Sequence, residues 1–280
     1  MANLPNNNFT TNTLSLHAGY EYDRQRTLSV PIYQSTAYSF ENAEQAAARF
    51  SLEELGNIYS RLTNPTVDML AKRIAAVEGG AFGVATASGS SAVFYSLVNL
   101  AQNGDNIAYS NKIYGGSQTL LVHVLKRFGI EGRVFDIDNL SSLEKIIDDK
   151  TKAIFFESLS NPQIAIADVE TITNIAKKHK IVTICDNTVA TPILFRPFDF
   201  GVDVSVHSLT KYINGHGSGL GGAVIEREGL NELIKDNSRY TAFNTPDESY
   251  HGLIYANLPL PIFSIRILIE WLRNIGASLS

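Results

Sequence analysis

An α/β domain built on a mostly parallel sheet is the fold class this sequence predicts, and three observations carry it. Short apolar runs alternate with helical patterns from residue 64 onward, which is the spacing of βαβ units. The runs are nearly continuous in apolar residues, as strands with helices on both faces are. At 280 residues, 44% hydrophobic and 18% charged, the chain is long enough to bury a large core.

Residues 1–63 are polar and irregular, with isolated apolar positions and a short helical pattern near "ENAEQAAARFSLEEL". Such a composition suits an arm lying on another surface better than a core of its own. The first long helix starts at Pro65 behind Asn64 as N-cap and stops at Gly79-Gly80. Val67, Leu70, Ile74 and Val77 form its apolar face. "FGVAT" then predicts a strand followed by a helix from about 90, and "NIAYS" a strand followed by a helix from about 116. "KAIFFES" precedes the helical "VETITNIAKKHK", and "IVTIC" and "DVSVH" are two further strands. One doubly wound domain therefore spans 64–257, without internal repeats or low-complexity tracts. Residues 258–280 end in the helical pattern "IFSIRILIEWLRNIG".

The remaining composition excludes several function classes. A net charge of −5 without a basic stripe argues against nucleic acid, and no basic amphipathic helix points to a membrane. The start, "MANLPNNNFTTNT", has neither the cationic nor the apolar part of a signal peptide. The most apolar late segment carries Asn257, Arg266, Glu270 and two prolines, so it is no membrane span. A single cysteine, Cys185, excludes an internal disulfide framework and is expected in the core. His207 and His216 stand nine residues apart with no further ligand-like neighbour, so no metal site is expected. The cytoplasm is the expected compartment.

In an open parallel sheet, ligands bind beyond the carboxyl ends of the strands. "VATASGSS" passes from strand to helix through Ser88, Gly89 and Ser90, whose backbone N–H groups suit an anion; an ordinary capped turn is the alternative. "IVTICDNT" ends a buried strand with Asp186, either a cap for the next turn or a partner for a cation. Asp203 lies at the other end of its strand and is expected to be structural. Lys211, in "SVHSLTKYINGHGSGLGG", is set among small and hydroxylated residues just beyond a strand. A lysine so placed suits Schiff-base chemistry, and Ser208 and Thr210 beside it suit phosphate oxygens. An anion cradle, a carboxylate for a ring nitrogen and an imine-forming lysine, in this order, point to pyridoxal phosphate.

With those residues, the chain resembles the transsulfuration enzymes of Cys/Met metabolism, a pyridoxal-phosphate family of the aspartate aminotransferase fold type I. "YSRLTNPT", "EGG", "ASGSSA", "YGG", "ESLSNP", "CDNTVATP" and "VHSLTKYINGHG" carry the resemblance from about residue 14 to 257. It implies that Lys211 holds the cofactor covalently, that Asp186 pairs with its pyridine nitrogen, and that Tyr114 stacks on its ring. Tyr114 either assists proton transfer or only stacks. Gly89 and Ser90, with Ser88, Ser208 and Thr210, are implied to bind the phosphate, and Asn161 to approach the ring oxygen. Tyr59 and Arg61 are implied to reach the phosphate of a neighbouring subunit, which makes a dimer the smallest complete unit, usually paired into a tetramer.

"RYTAFNTPDESYHGLIYANL" (239–258) resembles an insertion in the branch of that family whose members use O-acetylhomoserine and sulfide. It implies a methionine-biosynthetic transferase that makes homocysteine, with free sulfide or a sulfur-carrier protein as donor. The expected role of the insertion is to shape the active-site mouth through Pro246, Asp247, Tyr250 and His251; covering a subunit contact is the alternative. Cystathionine γ-synthase and methionine or cystathionine γ-lyase are the competing activities, and a non-catalytic chain acting only in assembly is a further one. The family continues into a C-terminal domain bearing the arginine for the substrate carboxylate, so 258–280 is expected to be the start of that domain.

Overall fold

In a computed structural model that describes residues 9–247 and 252–277, two short helices precede the predicted long one. They are α1 (Thr11–His17) and α2 (Ala43–Phe50), and α3 (Pro65–Glu78) follows. Asn64 caps α3 by accepting the Thr66 N–H at 3.0 Å, and Gly79 closes it in the left-handed conformation at φ 81°. Its apolar face is buried only in the second half. Ile74 and Val77 are covered, whereas Val67 and Leu70 remain exposed. α1 was not legible in the sequence, because only Leu14 and Ala18 anchor it, packed on Ala76 and Val77. The rest of the arm is open: Leu28 is 86% and Ile32 84% exposed.

The five predicted strands are present as β1 (Phe82–Thr86), β2 (Asn106–Ser110), β4 (Thr151–Glu157), β5 (Val182–Asp186) and β6 (Val204–Ser208). Two more, β3 (Glu131–Phe135) and β7 (Gly222–Glu226), complete a seven-stranded sheet in the order β1-β7-β6-β5-β4-β2-β3. β7 is antiparallel to both its neighbours and the other pairs are parallel. α4 (Gly89–Val98), α5 (Gly115–Thr119), α6 (Ser141–Ile146) and α7 (Val169–His179) connect the strands. Shorter pieces follow: α8 (Thr191–Leu194), α9 (Leu230–Ile234), α10 (Thr241–Asn244) and α11 (Ile262–Arg266), the last running on to Leu272 in a wider turn.

Helices cover both faces. Val182, Ile184, Val204 and Val206 point toward α4 and α11, in one cluster with Leu97 and Phe263. Ile154, Phe156 and Cys185 point the other way, against Leu143, Ile172 and Ala176 of α6 and α7. The described part of 258–277 thus packs on the α4 face. Asn99 Nδ2 donates to the Phe263 carbonyl at 2.9 Å and Tyr95 Oη to that of Gly276 at 2.5 Å.

Candidate active site

The parallel strands β4, β5 and β6 all end at one edge, and each ends on a polar residue: Glu157, Asp186 and Ser208. Glu157 lies directly across from Asp186 in the register of β4 and β5. Asp186 Oδ1 accepts the N–H of Thr188 at 3.0 Å and its hydroxyl at 2.5 Å. The same Thr188 oxygen accepts the Ser208 N–H at 2.8 Å. The Ser208 carbonyl in turn accepts the Lys211 N–H at 3.2 Å, in the first turn beyond the strand. Asp186, Ser208 and Lys211 are therefore joined through one threonine that the sequence reading did not single out.

The N-terminus of α4 meets this chain from the side. Ser88 is its N-cap, its hydroxyl taken up by Ser91 N–H at 3.1 Å and Ser91 Oγ at 2.8 Å. Ser88 thus acts here as the ordinary cap, while the N–H groups of Gly89 and Ser90 have no partner among the described residues. Gly89 must be glycine: a Cβ there would lie 2.4 Å from Ser208 Cβ. That close approach sets two free helix N–H groups beside the Ser208 hydroxyl, which also has no partner among the described residues, an anion-binding combination. Thr210 is more committed. Its hydroxyl donates to the Gly221 carbonyl at 3.2 Å and accepts the Gly221 N–H at 3.1 Å, pinning the glycine-rich loop.

Glu157 binds the remaining pair. It is buried, and its oxygens accept the backbone N–H of Tyr114 at 2.7 Å and of Asn161 at 2.9 Å. Burial, and then the charge of Asp186, push its carboxyl up to about 7 against the pull of those two N–H groups. The Tyr114 ring is half exposed. Tyr59 and Arg61 are not part of this linked set. The Arg61 guanidinium sits over the Tyr59 ring at 5.1 Å, and both line a cavity of about 280 Å³ with Arg49, Leu62 and Arg273.

A buried network supports the strand ends from the other face. Glu78, the last residue of α3, accepts from Asn187 Nδ2 at 3.0 Å and Ser205 Oγ at 2.9 Å, and pairs with His207 Nε2 at 2.5 Å. Burial alone would lower His207, but the Glu78 carboxylate outweighs it and the imidazole is raised. The Ser158 hydroxyl completes the network by donating to Asn187 Oδ1 at 2.7 Å. Asn187 follows Asp186 directly, so this network fixes the backbone of the candidate carboxylate.

The residues fit pyridoxal phosphate. Burial pushes the Asp186 carboxyl up, with the Thr188 hydrogen bonds opposing, and its Oδ2 has no partner among the described residues. A carboxylate whose charge is costly in isolation gains most from a cation at that free oxygen. The phosphate has two N–H donors and a hydroxyl, and the Lys211 amine makes no ion pair among the described residues. Cys185 and Asp203 are structural as expected: Cys185 is in the core, and Asp203 holds Thr183 and Arg227 at the far end of β6.

Within 239–258, the anchors that the described residues provide lie away from Lys211. Arg239 donates to the carbonyls of Asp148, Thr151 and His179, and the Tyr240 hydroxyl bonds to Lys152 O and Val182 N. These groups lie at the N-terminal ends of β4 and β5, opposite Asp186. Asp247 accepts from Tyr255 at 3.3 Å, and the Tyr255 ring lies by Arg266 on the α4 face. An arginine and a tyrosine that satisfy carbonyls at the far end draw the segment's first residues there. Tyr250 and His251 lie outside the described residues.

Residues 12–253 match the family model of the Cys/Met metabolism PLP-dependent enzymes, and the chain belongs to that family. It is 43% identical over 272 residues to an O-acetyl-L-homoserine sulfhydrylase of Corynebacterium glutamicum, covering 96% of this chain and 62% of that protein. It is 40% identical to O-acetyl-L-homoserine sulfhydrylase 1 of Thermus thermophilus, covering 95% of this chain and 64% of that protein. The chain thus spans less than two thirds of the length of these relatives. Among solved structures it is similar to a candidate O-acetylhomoserine (thiol)-lyase of Campylobacter jejuni that carries N'-pyridoxyl-lysine-5'-monophosphate. That likeness has a TM-score of 0.96 and 69% identity, over 97% of this chain and 67% of that one. A cystathionine γ-lyase of Lactobacillus plantarum gives a TM-score of 0.72 at 34% identity, over 84% of this chain and 59% of that one.

Proposed function

We propose that the chain is the pyridoxal-phosphate-holding part of an O-acetyl-L-homoserine sulfhydrylase, a methionine-biosynthetic transferase. The reaction exchanges acetate for sulfide at the γ-carbon of O-acetylhomoserine. The γ-carbon–oxygen bond breaks, a γ-carbon–sulfur bond forms, and L-homocysteine and acetate leave. The observation that carries this reading is the continuous linkage of Lys211, Ser208, Thr188 and Asp186 beside the free N-terminus of α4.

When bound, pyridoxal phosphate supplies an electron sink for charge developed on the amino acid's α-carbon. The chain's residues do the rest. Lys211 anchors the cofactor, and its amine then carries protons to and from the α- and β-carbons as general base and acid. The Asp186 carboxylate holds a positive charge at the ring nitrogen. The N–H groups of Gly89 and Ser90 and the Ser208 hydroxyl hold the phosphate, and Thr210 keeps the adjoining loop closed. Tyr114 offers a ring face and Asn161 an amide for the ring oxygen. The Tyr59–Arg61 pair and the open apolar residues of the arm support a dimer with sites shared between subunits, in which that pair reaches the neighbouring phosphate. We take the cytoplasm as its compartment; among the described residues no helix is long and apolar enough to cross a membrane.

Borohydride treatment of the cofactor-loaded protein followed by peptide mapping tests the anchor. Label on Lys211 is expected, and label on Lys72 or Lys112 overturns it. The full-length protein is expected to make homocysteine from O-acetylhomoserine and sulfide far faster than cystathionine from cysteine. Equal or better use of cysteine would move the protein to the cystathionine synthases.

A further inference from the structure

Glu157 is the costliest group at the site edge that has no assigned task. It is 5% exposed, it faces the Asp186 carboxylate across β4 and β5, and either fact alone makes a charge there unfavourable. A neutral residue could end β4 at no such cost. What a carboxylate offers is two acceptor oxygens and no donor. Both are used, and each on a different loop. Oε1 takes the N–H of Tyr114, at the end of the loop that follows β2, and Oε2 takes that of Asn161, in the loop that follows β4. β2 lies on one side of β4 and β5 on the other. One side chain therefore ties the loops of two strands to each other, directly beside the carboxylate at the end of the third.

Resting on the reading of this edge as a pyridoxal phosphate site, we propose that Glu157 is a positioning residue that holds Tyr114 and Asn161 in one fixed relation to Asp186. It touches no cofactor atom. It acts on the backbone of the two residues that do, so the stacking ring and the ring-oxygen amide are set by the same group. Glutamine cannot replace it, although the shape is the same, because one of its two terminal atoms is a donor and would face an N–H.

The test is Glu157→Gln, with Glu157→Asp as a second variant that keeps the charge but draws both oxygens back by one methylene. Two readouts are independent of turnover. The first is amide hydrogen exchange in the cofactor-free protein. At least one of the Tyr114 and Asn161 amides should exchange about tenfold faster or more, since a hydrogen bond to a charged group is lost, while β4 and β5 amides exchange no faster than in the wild type. A general loss of stability would instead speed exchange throughout the sheet. The second is titration with pyridoxal phosphate, followed by visible circular dichroism. The dissociation constant should rise by about tenfold and the induced signal should shrink. Unchanged exchange at both amides, or unchanged affinity and dichroism, overturns the proposal. A wild-type protein that fails to take the cofactor at Lys211 overturns the site reading itself. A wild-type protein that binds it there while Glu157→Gln binds equally well overturns the clamp alone.

Discussion

The two ends of the sheet use their polar groups in opposite ways. At the C-terminal ends of β4, β5 and β6, Asp186 Oδ2, the Ser208 hydroxyl and the N–H groups of Gly89 and Ser90 have no partner among the described residues. At the N-terminal ends of the same strands nearly everything is satisfied internally. Tyr240 Oη makes two hydrogen bonds, Arg239 reaches three carbonyls, and Asp203 accepts from Thr183 at 2.8 Å and from Arg227 at 2.8 Å. Each end also carries a buried carboxylate pushed up to about 7: Glu157 at the site, and Glu226 at the far end, where it accepts the Ser264 N–H at 2.7 Å. Unsatisfied groups kept in place mark where a ligand belongs; saturated ones mark where the fold is held. Changes at one end should therefore move cofactor binding, and changes at the other should move stability.

The largest expected separation comes from Asp186→Asn. An asparagine cannot hold the ring cation, and breaking a buried pair costs about 3–5 kcal/mol, so cofactor affinity and turnover should fall at least about a hundredfold. Stability of the cofactor-free protein should hold or rise, because a carboxyl that burial disfavours has been removed. Equilibrium dialysis and urea denaturation on the same preparation measure both. Near-normal affinity would show that Asp186 is only a cap for Thr188.

Tyr240→Phe should show the reverse pattern. The ring still fits its buried place, but Val182 N–H and Lys152 C=O lose their partner. An unsatisfied buried group costs about 1–3 kcal/mol, which a urea midpoint resolves, while cofactor affinity should stay as it was. A variant with normal stability and weakened affinity would show that 239–258 acts on the site. That is the role that the sequence alone had given that segment.

What was legible in the sequence follows the same division. Lys211, Asp186, Ser88 and Gly89 drew attention in the sequence because each sits at a strand–loop boundary next to glycine or hydroxyl residues, a local signal. Thr188 and Glu157 were not singled out, although both lie inside quoted motifs. Their role depends on which strands are neighbours, and strand order is not a local property. Glu157 carried one usable clue, a carboxylate directly after the apolar run Ala153–Phe156. β7 was hidden because its five residues follow the glycine-rich loop without a helical connection, as an antiparallel strand does not need one. The 239–258 stretch was visible as a feature, but the place of its first residues was not. Its anchors, Arg239 and Tyr240, meet carbonyls at residues 148–152 and 179, a contact no spacing rule reports.

A pH-dependent effect most directly sharpens the comparison between the two buried carboxylates. Burial raises Glu226 from an ordinary value of 4.5 to about 7, with the Ser264 contacts and Arg227 opposing. An acid whose pKa is higher in the folded state than in the unfolded chain binds more protons when folded. Its contribution is therefore neutral below about pH 4.5 and grows more destabilising up to about pH 7, where it levels off. Glu226→Gln removes that dependence while keeping an acceptor for the Ser264 N–H. The variant should match the wild type near pH 4.5, gain on it progressively as the pH rises, and hold its advantage above about pH 7. Urea midpoints measured from pH 4.5 to 8 on the cofactor-free proteins record the difference. Glu157→Gln should show the same trend, reduced by the backbone N–H it leaves unpaired, and only this second variant should also weaken cofactor binding. A Glu226→Gln protein whose midpoint tracks the wild type at every pH would show that Glu226 titrates alike in the folded and unfolded chain, so that burial does not raise it. If it also lost affinity for pyridoxal phosphate, the two ends of the sheet would not be independent.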